Sequence, residues 1–233
     1  MNVEKGLKLP GSIFKYIPEQ YLETFLKRGE LLFRSLSYFQ DYEDESRGDE
    51  FEGTNLYKPD SALELTKVET GEKILLPEAS FQSSVNRDDI LVFCTSTVLS
   101  SELATEFKSN VCVEITNIPK FVSGIRASLA IRPSIKDKNL LFGEVNYYEQ
   151  QNAPITAWAL PDKITMSKLI SFQKQKEFRF AFAINNAFRV YNTNQTIQFG
   201  NQTLRAKLHT YPEKILRIGN ITNICKIHRM NDK

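Results

Sequence analysis

An arginine, a run of hydroxyls and a glutamate stand out at Arg34, Thr95-Ser96-Thr97 and Glu177. Arg34 lies in the apolar stretch LLFRSL (31–36), where strand alternation sets it on one face with Leu32 and Leu36. An arginine on an apolar face needs an anionic partner, because an unpaired buried charge is very costly. That partner is either a structural carboxylate or a ligand phosphate or carboxylate gripped through two N–H groups. Thr95, Ser96 and Thr97 follow the most apolar short run, ILVFC (90–94). Hydroxyls in that position either cap the chain end or orient a sugar or a catalytic residue. Glu177 and Arg179 share the face opposite Phe178, Phe180, Phe182 and Ile184. On a solvated face the two make a salt bridge worth roughly 0.2–1 kcal/mol. On a cleft, Glu177 is a catalytic carboxylate on a rigid strand, with Gln175 two residues before it.

A second concentration of chemistry is acidic. Residues 41–52 hold Asp41, Glu43, Asp44, Glu45, Asp49, Glu50 and Glu52 around the single Arg47. The spacing is not that of an EF-hand, so it gives no calcium loop. A charge run is most often solvated. Arg47-Gly48-Asp49 with Glu50, Glu52 and Gly53 mixes charges of both signs with glycines, which suits an ion-paired loop at the rim of a site. A magnesium site needs only one or two carboxylates with substrate phosphates.

The elements that position these residues follow from periodicity and punctuation. Pro18 to Arg28 reads as a helix closed by Gly29. Leu31–Leu36 is a strand, and Ser37 caps a short helix after it. Residues 45–62 read as loop, 63–76 as a hairpin with Thr70-Gly71 at its turn, and Ile90–Cys94 as a strand buried on both faces. Ser100 or Ser101 opens a short helix, 111–116 is a strand, Asn117 with Pro119 opens a helix to Leu129, and 140–148 is a strand. In the last third, Asn185-Asn186 and Gly200-Asn201 are turn pairs, so 177–208 reads as an antiparallel β-meander. The expected class is α+β, sheet-dominated and largely antiparallel, with short helices inserted in the N-terminal half and all of 1–233 in a single domain.

Composition excludes several classes. Sixteen Phe and nine Tyr against one Trp favour strands. Cys94, Cys112 and Cys225 have no paired spacing, and His209 and His228 are the only histidines, which argues against structural zinc. Walker A, GxGxxG, HExxH and GxSxG motifs are absent. No run approaches the ~20 apolar residues of a membrane span, and the chain opens without the apolar core of a signal peptide. A reduced, cytoplasmic protein without a membrane partner is expected. Residues 1–53 carry a net charge of −4 and residues 201–233 one of +5.

Several short segments together resemble an uncharacterised domain family of bacteria, phages and mobile elements. They are Phe14-Lys15-Tyr16; Leu31-Leu32-Phe33 with Ser35, Ser37, Phe39 and Asp41; Phe93-Cys94-Thr95-Ser96 before Val111–Ile115; and Gln175-Lys176-Glu177-Phe178-Arg179. Gln40 and Tyr42 depart from that family's Asn and Pro, and Ala104–Phe107 from its Trp-Ser-His-Tyr-like segment. More loosely, Arg34, Ser96-Thr97 and Gln175/Glu177 are similar in order to the Arg–Ser–Glu pattern of ADP-ribosyltransferases. That resemblance implies NAD as substrate and a split β-sheet. Glu177 would hold the ribose hydroxyl and stabilise an oxocarbenium-like transition state. Arg34 would hold the NAD phosphate or ribose, the Ser-Thr pair would order the site, and Gln175 would orient the acceptor.

The leading expectation is therefore an NAD-consuming, ADP-ribosyltransferase-like protein of a bacterial or phage conflict system, with a protein or nucleic acid as acceptor. Its catalytic residues are Glu177, Gln175 and Arg34. Its substrate-binding residues are Ser96, Thr97, Arg179, Arg47, Asp49 and Glu52, and it uses no metal. Two other readings stay open. One is a non-enzymatic interaction module that uses the acidic loop 41–53. The other is a metal-dependent phosphoryl-transfer or nucleic-acid enzyme.

Overall fold

A computed structural model describes residues 9–41, 48–200 and 210–230. The chain opens with strand β1 (Ile13–Ile17), helix α1 (Leu22–Arg28), strand β2 (Glu30–Ser35) and helix α2 (Leu36–Gln40). α1 buries Phe25 and Leu26 and stops at Gly29, whose φ of +58° is left-handed. A Cβ there would sit 2.4 Å from the Gly219 carbonyl oxygen, so both the torsion and the close approach require glycine. Ser35, rather than Ser37, caps α2 by accepting the Tyr38 N–H. Ser37 instead donates to Asp88.

A small layer follows: β3 (Thr54–Tyr57), the hairpin β4 (Ala62–Thr66) and β5 (Lys73–Pro77), and β6 (Ala79–Ser84). Next come β7 (Ile90–Ser96), α3 (Ser101–Glu106) and β8 (Val111–Ile115). α4 (Ile118–Ala130) is capped by Asn117, which accepts from Lys120 N–H, and has Pro119 in its first turn. It buries Phe121, Val122, Ile125 and Leu129 on one stripe.

β9 (Leu141–Glu144) and β10 (Asn146–Tyr148) divide the expected strand 140–148 at Val145, whose N–H bonds the Glu177 carbonyl. α5 (Pro161–Thr165), β11 (Ser167–Leu169) and β12 (Glu177–Ala183) follow, then β13 (Asn194–Phe199), β14 (Glu213–Arg217) and β15 (Cys225–Arg229). The class is α+β, sheet-dominated and mostly antiparallel, with few short helices.

The expected C-terminal meander does not form across 177–200. Asn185 and Asn186 do adopt positive φ, at 52° and 60°. The chain then enters a 3-10 turn at Val190–Asn192 instead of returning beside β12. β12 is flanked by β7 and β9, while β13 pairs with β6. Local turn chemistry was right, but both edges of β12 were already taken by distant strands. The hairpin arm expected at 203–208 lies outside the described residues.

Among the described residues the main sheet has eight strands, and β7 is its axis. One edge of β7 pairs with β12 along its length, from Glu177↔Ser96 to Ala183↔Ile90. The other edge is shared: β2 takes Val92 and Leu91, and β1 meets only Ser96. β14 extends β2, while β8 and β15 extend β1. The sheet therefore splits into two arms that diverge from β7 around Phe93–Thr95. One face of the sheet packs Phe33, Phe93, Phe180 and Phe182 against Phe25 of α1 and Phe121 of α4. Each fully buried phenylalanine contributes roughly 1.5–3 kcal/mol. On the opposite face Ile90, Val92, Ala181 and Ala183 pack with Leu36 of α2 and Ile164 of α5. Among the described residues no helix is long and apolar enough to cross a membrane.

Candidate active-site cleft

A cleft of about 470 Å³ opens where the two arms part. β1 contributes Phe14 and Tyr16, β2 contributes Leu32 and Arg34, and β7 contributes Cys94 and Ser96. Glu177 and Arg179 of β12 complete the wall, α1 adds Thr24 and Phe25, and Tyr21 joins from the turn before α1. Among the described residues the divergence leaves the middle of the β7 edge without a strand, so its backbone needs other partners. Lys15 supplies one: its ammonium donates to the Cys94 carbonyl at 2.7 Å and lies 4.4 Å from the centre of the Phe93 ring.

Arg34 projects from the face of β2 opposite the phenylalanine core and is about one-third exposed. Its guanidinium stacks over Tyr38 at 4.1 Å and pairs with Glu213 of β14 at 3.3 Å. Among the described residues its carboxylate partner thus comes from the neighbouring strand, and Glu177 does not supply it.

The three hydroxyls act together. Thr95 donates to the Phe178 carbonyl, Ser96 to that of Gln175 and Thr97 to that of Lys176, at 2.8, 2.8 and 3.3 Å. They staple the chain entering β12, where Lys176 holds a left-handed φ of 43°. Thr95 and Ser96 line the cleft; Thr97 does not.

Glu177 and Arg179 do not face solvent. They are 4% and 1% exposed, which changes the chemistry from a surface pair to a buried network. Arg179 Nε donates to Glu177 Oε1 at 2.6 Å, and its two Nη atoms hold Glu52 Oε1 and Oε2 at 2.7 and 3.2 Å. Nη1 also donates to the Thr165 carbonyl. Arg179 is therefore occupied by protein groups and offers no ready clamp for a substrate. Lys168 Nζ reaches Gln175 Oε1, Glu177 Oε2 and Glu52 Oε2 at 3.1, 3.3 and 3.7 Å. Gln175 is likewise turned inward, 5% exposed and engaged by Lys168.

The electrostatics follow from this packing. Burial opposes the charge on Glu177, but the Arg179 guanidinium and Lys168 ammonium hold its carboxyl well below the usual range. Burial likewise opposes the charge on Lys168, and Glu177 and Glu52 raise it above an ordinary lysine. Cys94, beside Glu177, has its thiol pushed up by burial and then by that carboxylate. A carboxylate offers about four acceptor positions. Glu177 gives one of these to Arg179 and one to Lys168.

The inner part of the acidic stretch is not solvated. Asp49 and Glu52 are 3% and 1% exposed, so neither can meet a partner surface. Asp49 accepts the Phe51 N–H, Glu52 N–H bonds the Asp49 carbonyl, and Gly53 at φ +71° turns the chain into β3. Burial, and then Glu52, pushes Asp49 up to about 7. Glu50 is exposed. Arg47 and residues 42–46 lie outside the described residues. Among the described residues no three His, Cys, Asp or Glu side chains form a metal-holding group.

Of the residues singled out in the sequence, Arg34, Ser96, Gln175, Glu177, Arg179 and Glu52 all line this one cleft. Sequence reasoning missed Lys168 and Tyr147. A lysine between Met166 and Leu169-Ile170 in MSKLI (166–170) was the available signal.

No protein-family model, curated protein or solved structure matches this chain. The reading of the site therefore rests on its geometry.

Proposed function

We propose that the cleft binds NAD and transfers its ADP-ribose to a protein or nucleic-acid acceptor. The observation that carries this reading is the convergence of Arg34, Ser96 and Glu177 on one cleft in a split sheet. In the reaction, the bond between ribose C1′ and the nicotinamide nitrogen breaks, and nicotinamide leaves with the electron pair. The positive charge left on the ribose is stabilised by the ionised Glu177, whose spare acceptor position takes a ribose hydroxyl. Arg34, whose partner Glu213 is half-exposed, exchanges it for the pyrophosphate. The acceptor nucleophile then bonds C1′ and loses its proton to solvent. Thr95, Ser96 and Thr97 hold the segment that carries Gln175 and Glu177.

The test is isothermal titration with NAD and with ADP-ribose, alongside nicotinamide release. Binding of both, weakened at least about ten-fold in Arg34→Ala, is expected from loss of a charge-assisted contact. Absence of both binding and release would remove the proposal. A second reading, a cleft that binds such a ligand without turnover, is favoured by the two cations already on the Glu177 carboxylate. Binding without nicotinamide release would select it.

A further inference from the structure

Between β9 and β12 the chain makes a long excursion, and its parts return to the same two residues. β10 and β11 form a parallel ladder of only three residues each, with Tyr147 directly paired to Lys168. A two-strand ladder so short has little stability of its own. Both members of that pair grip Glu177. The Tyr147 hydroxyl oxygen accepts the Glu177 N–H at 2.9 Å, and Lys168 donates to its side-chain Oε2 at 3.3 Å. Either side of the ladder, Val145 N–H bonds the Glu177 carbonyl, and the Thr165 carbonyl takes Arg179 Nη1.

We propose that the Val145–Lys168 excursion is a positioning clamp for Glu177, with Lys168 and Tyr147 as its positioning residues. The clamp fixes backbone and carboxylate together. Arg179 pins Oε1, Lys168 pins Oε2, and Tyr147 stops the strand end from rotating about its own N–H. The carboxylate is thereby held in one orientation at the cleft wall. Phe172, 4.8 Å below the Lys168 ammonium, closes the far side of the lysine. This inference gives Glu177 the role assigned to it above, so it rests on that reading for its purpose. The clamp itself is testable without NAD.

Glutamate carrying a ¹³C carboxyl label, with the Glu177 signal assigned by its loss in Glu177→Gln, reports the carboxylate directly. In the wild type this signal is expected to stay flat from about pH 8 to about pH 4, where an ordinary glutamate is already more than half protonated. In Lys168→Met it is expected to titrate inside that window, with Lys168→Arg restoring the flat profile. Titration unchanged in Lys168→Met would overturn the clamp. Should Lys168→Met not fold, Tyr147→Phe carries the test by hydrogen exchange. Exchange at the Glu177 amide is expected to quicken at least about ten-fold while that of Phe180 and Phe182 holds, since only the former loses its acceptor. Equal exchange at Glu177 in both proteins would overturn the proposal. A wild type that releases no nicotinamide would remove the transferase reading and leave these two results to judge the clamp.

Discussion

Glu52 and Arg179, 127 residues apart in the chain, meet in a two-point ion pair with both side chains 1% exposed. The pair ties the loop before β3 to the strand that bears Glu177. Breaking one half of such a buried pair leaves the other charge uncompensated, at a cost of about 3–5 kcal/mol. Glu52→Gln is expected to lose stability on that scale in urea unfolding. A double-mutant cycle with Arg179→Met should give a coupling of about 1.5 kcal/mol or more. Coupling near zero would show that the two-point geometry does not hold in solution.

Asp49 gives a prediction of opposite sign. Its folded value, about 7, lies above the ordinary 3.8, so the folded state holds a proton that the unfolded state has released. Its contribution is fully present below the unfolded value and is lost as pH rises through the folded one. Asp49→Asn, which keeps an acceptor for the Phe51 N–H, removes that loss. At pH 8 the variant is expected to be more stable than the wild type by at least about 1 kcal/mol. The difference should shrink at pH 5 and vanish near pH 4. A variant less stable at pH 8 would refute the assignment.

Ser96 and Thr97 separate a buried bond from an exposed one. Ser96 is 2% exposed; it donates to the Gln175 carbonyl and accepts the Val98 N–H. Ser96→Ala is expected to cost about 1–3 kcal/mol, because the buried Gln175 carbonyl and the part-buried Val98 N–H lose their partner. Thr97→Val, at a half-buried site, should cost no more than about 0.5 kcal/mol. Thermal melts of the two variants decide this, and equal losses would contradict it.

Arg34 is expected to matter for ligand and little for fold. Its pairing with Glu213 and stacking on Tyr38 are partly exposed, so Arg34→Ala should lower stability by about 1 kcal/mol or less. A loss above about 3 kcal/mol in chemical unfolding would instead mark Arg34 as a buried structural charge.

Much of this was legible in the sequence where local rules agree. α1 with its Gly29 stop, α4 with its Asn117 cap, and the phenylalanine face of β12 follow from periodicity and capping. So does the doubly buried β7, because an unbroken apolar run has no solvent face to offer. The rest depended on partners far apart in the chain. The Asn185-Asn186 turn was read correctly, but nothing nearby says that β7 and β9 claim both edges of β12. Glu177 and Arg179 alternate like a solvated pair, and only Glu52 and Lys168, from two other segments, make that face an interior. The acidic stretch misled for the same reason: composition counts charges, while the burial of Glu52 depends on cations more than 100 residues later.

Incubation with NAD followed by quantitation of free nicotinamide bears most directly on the proposed role of Glu177. The wild type is expected to release nicotinamide. Glu177→Gln, shown by circular dichroism to be folded, is expected to release at least about 100-fold less, because the charge that stabilises the developing cation is gone. No release from the wild type across protein and nucleic-acid acceptors, or equal release from a folded Glu177→Gln, would contradict the account.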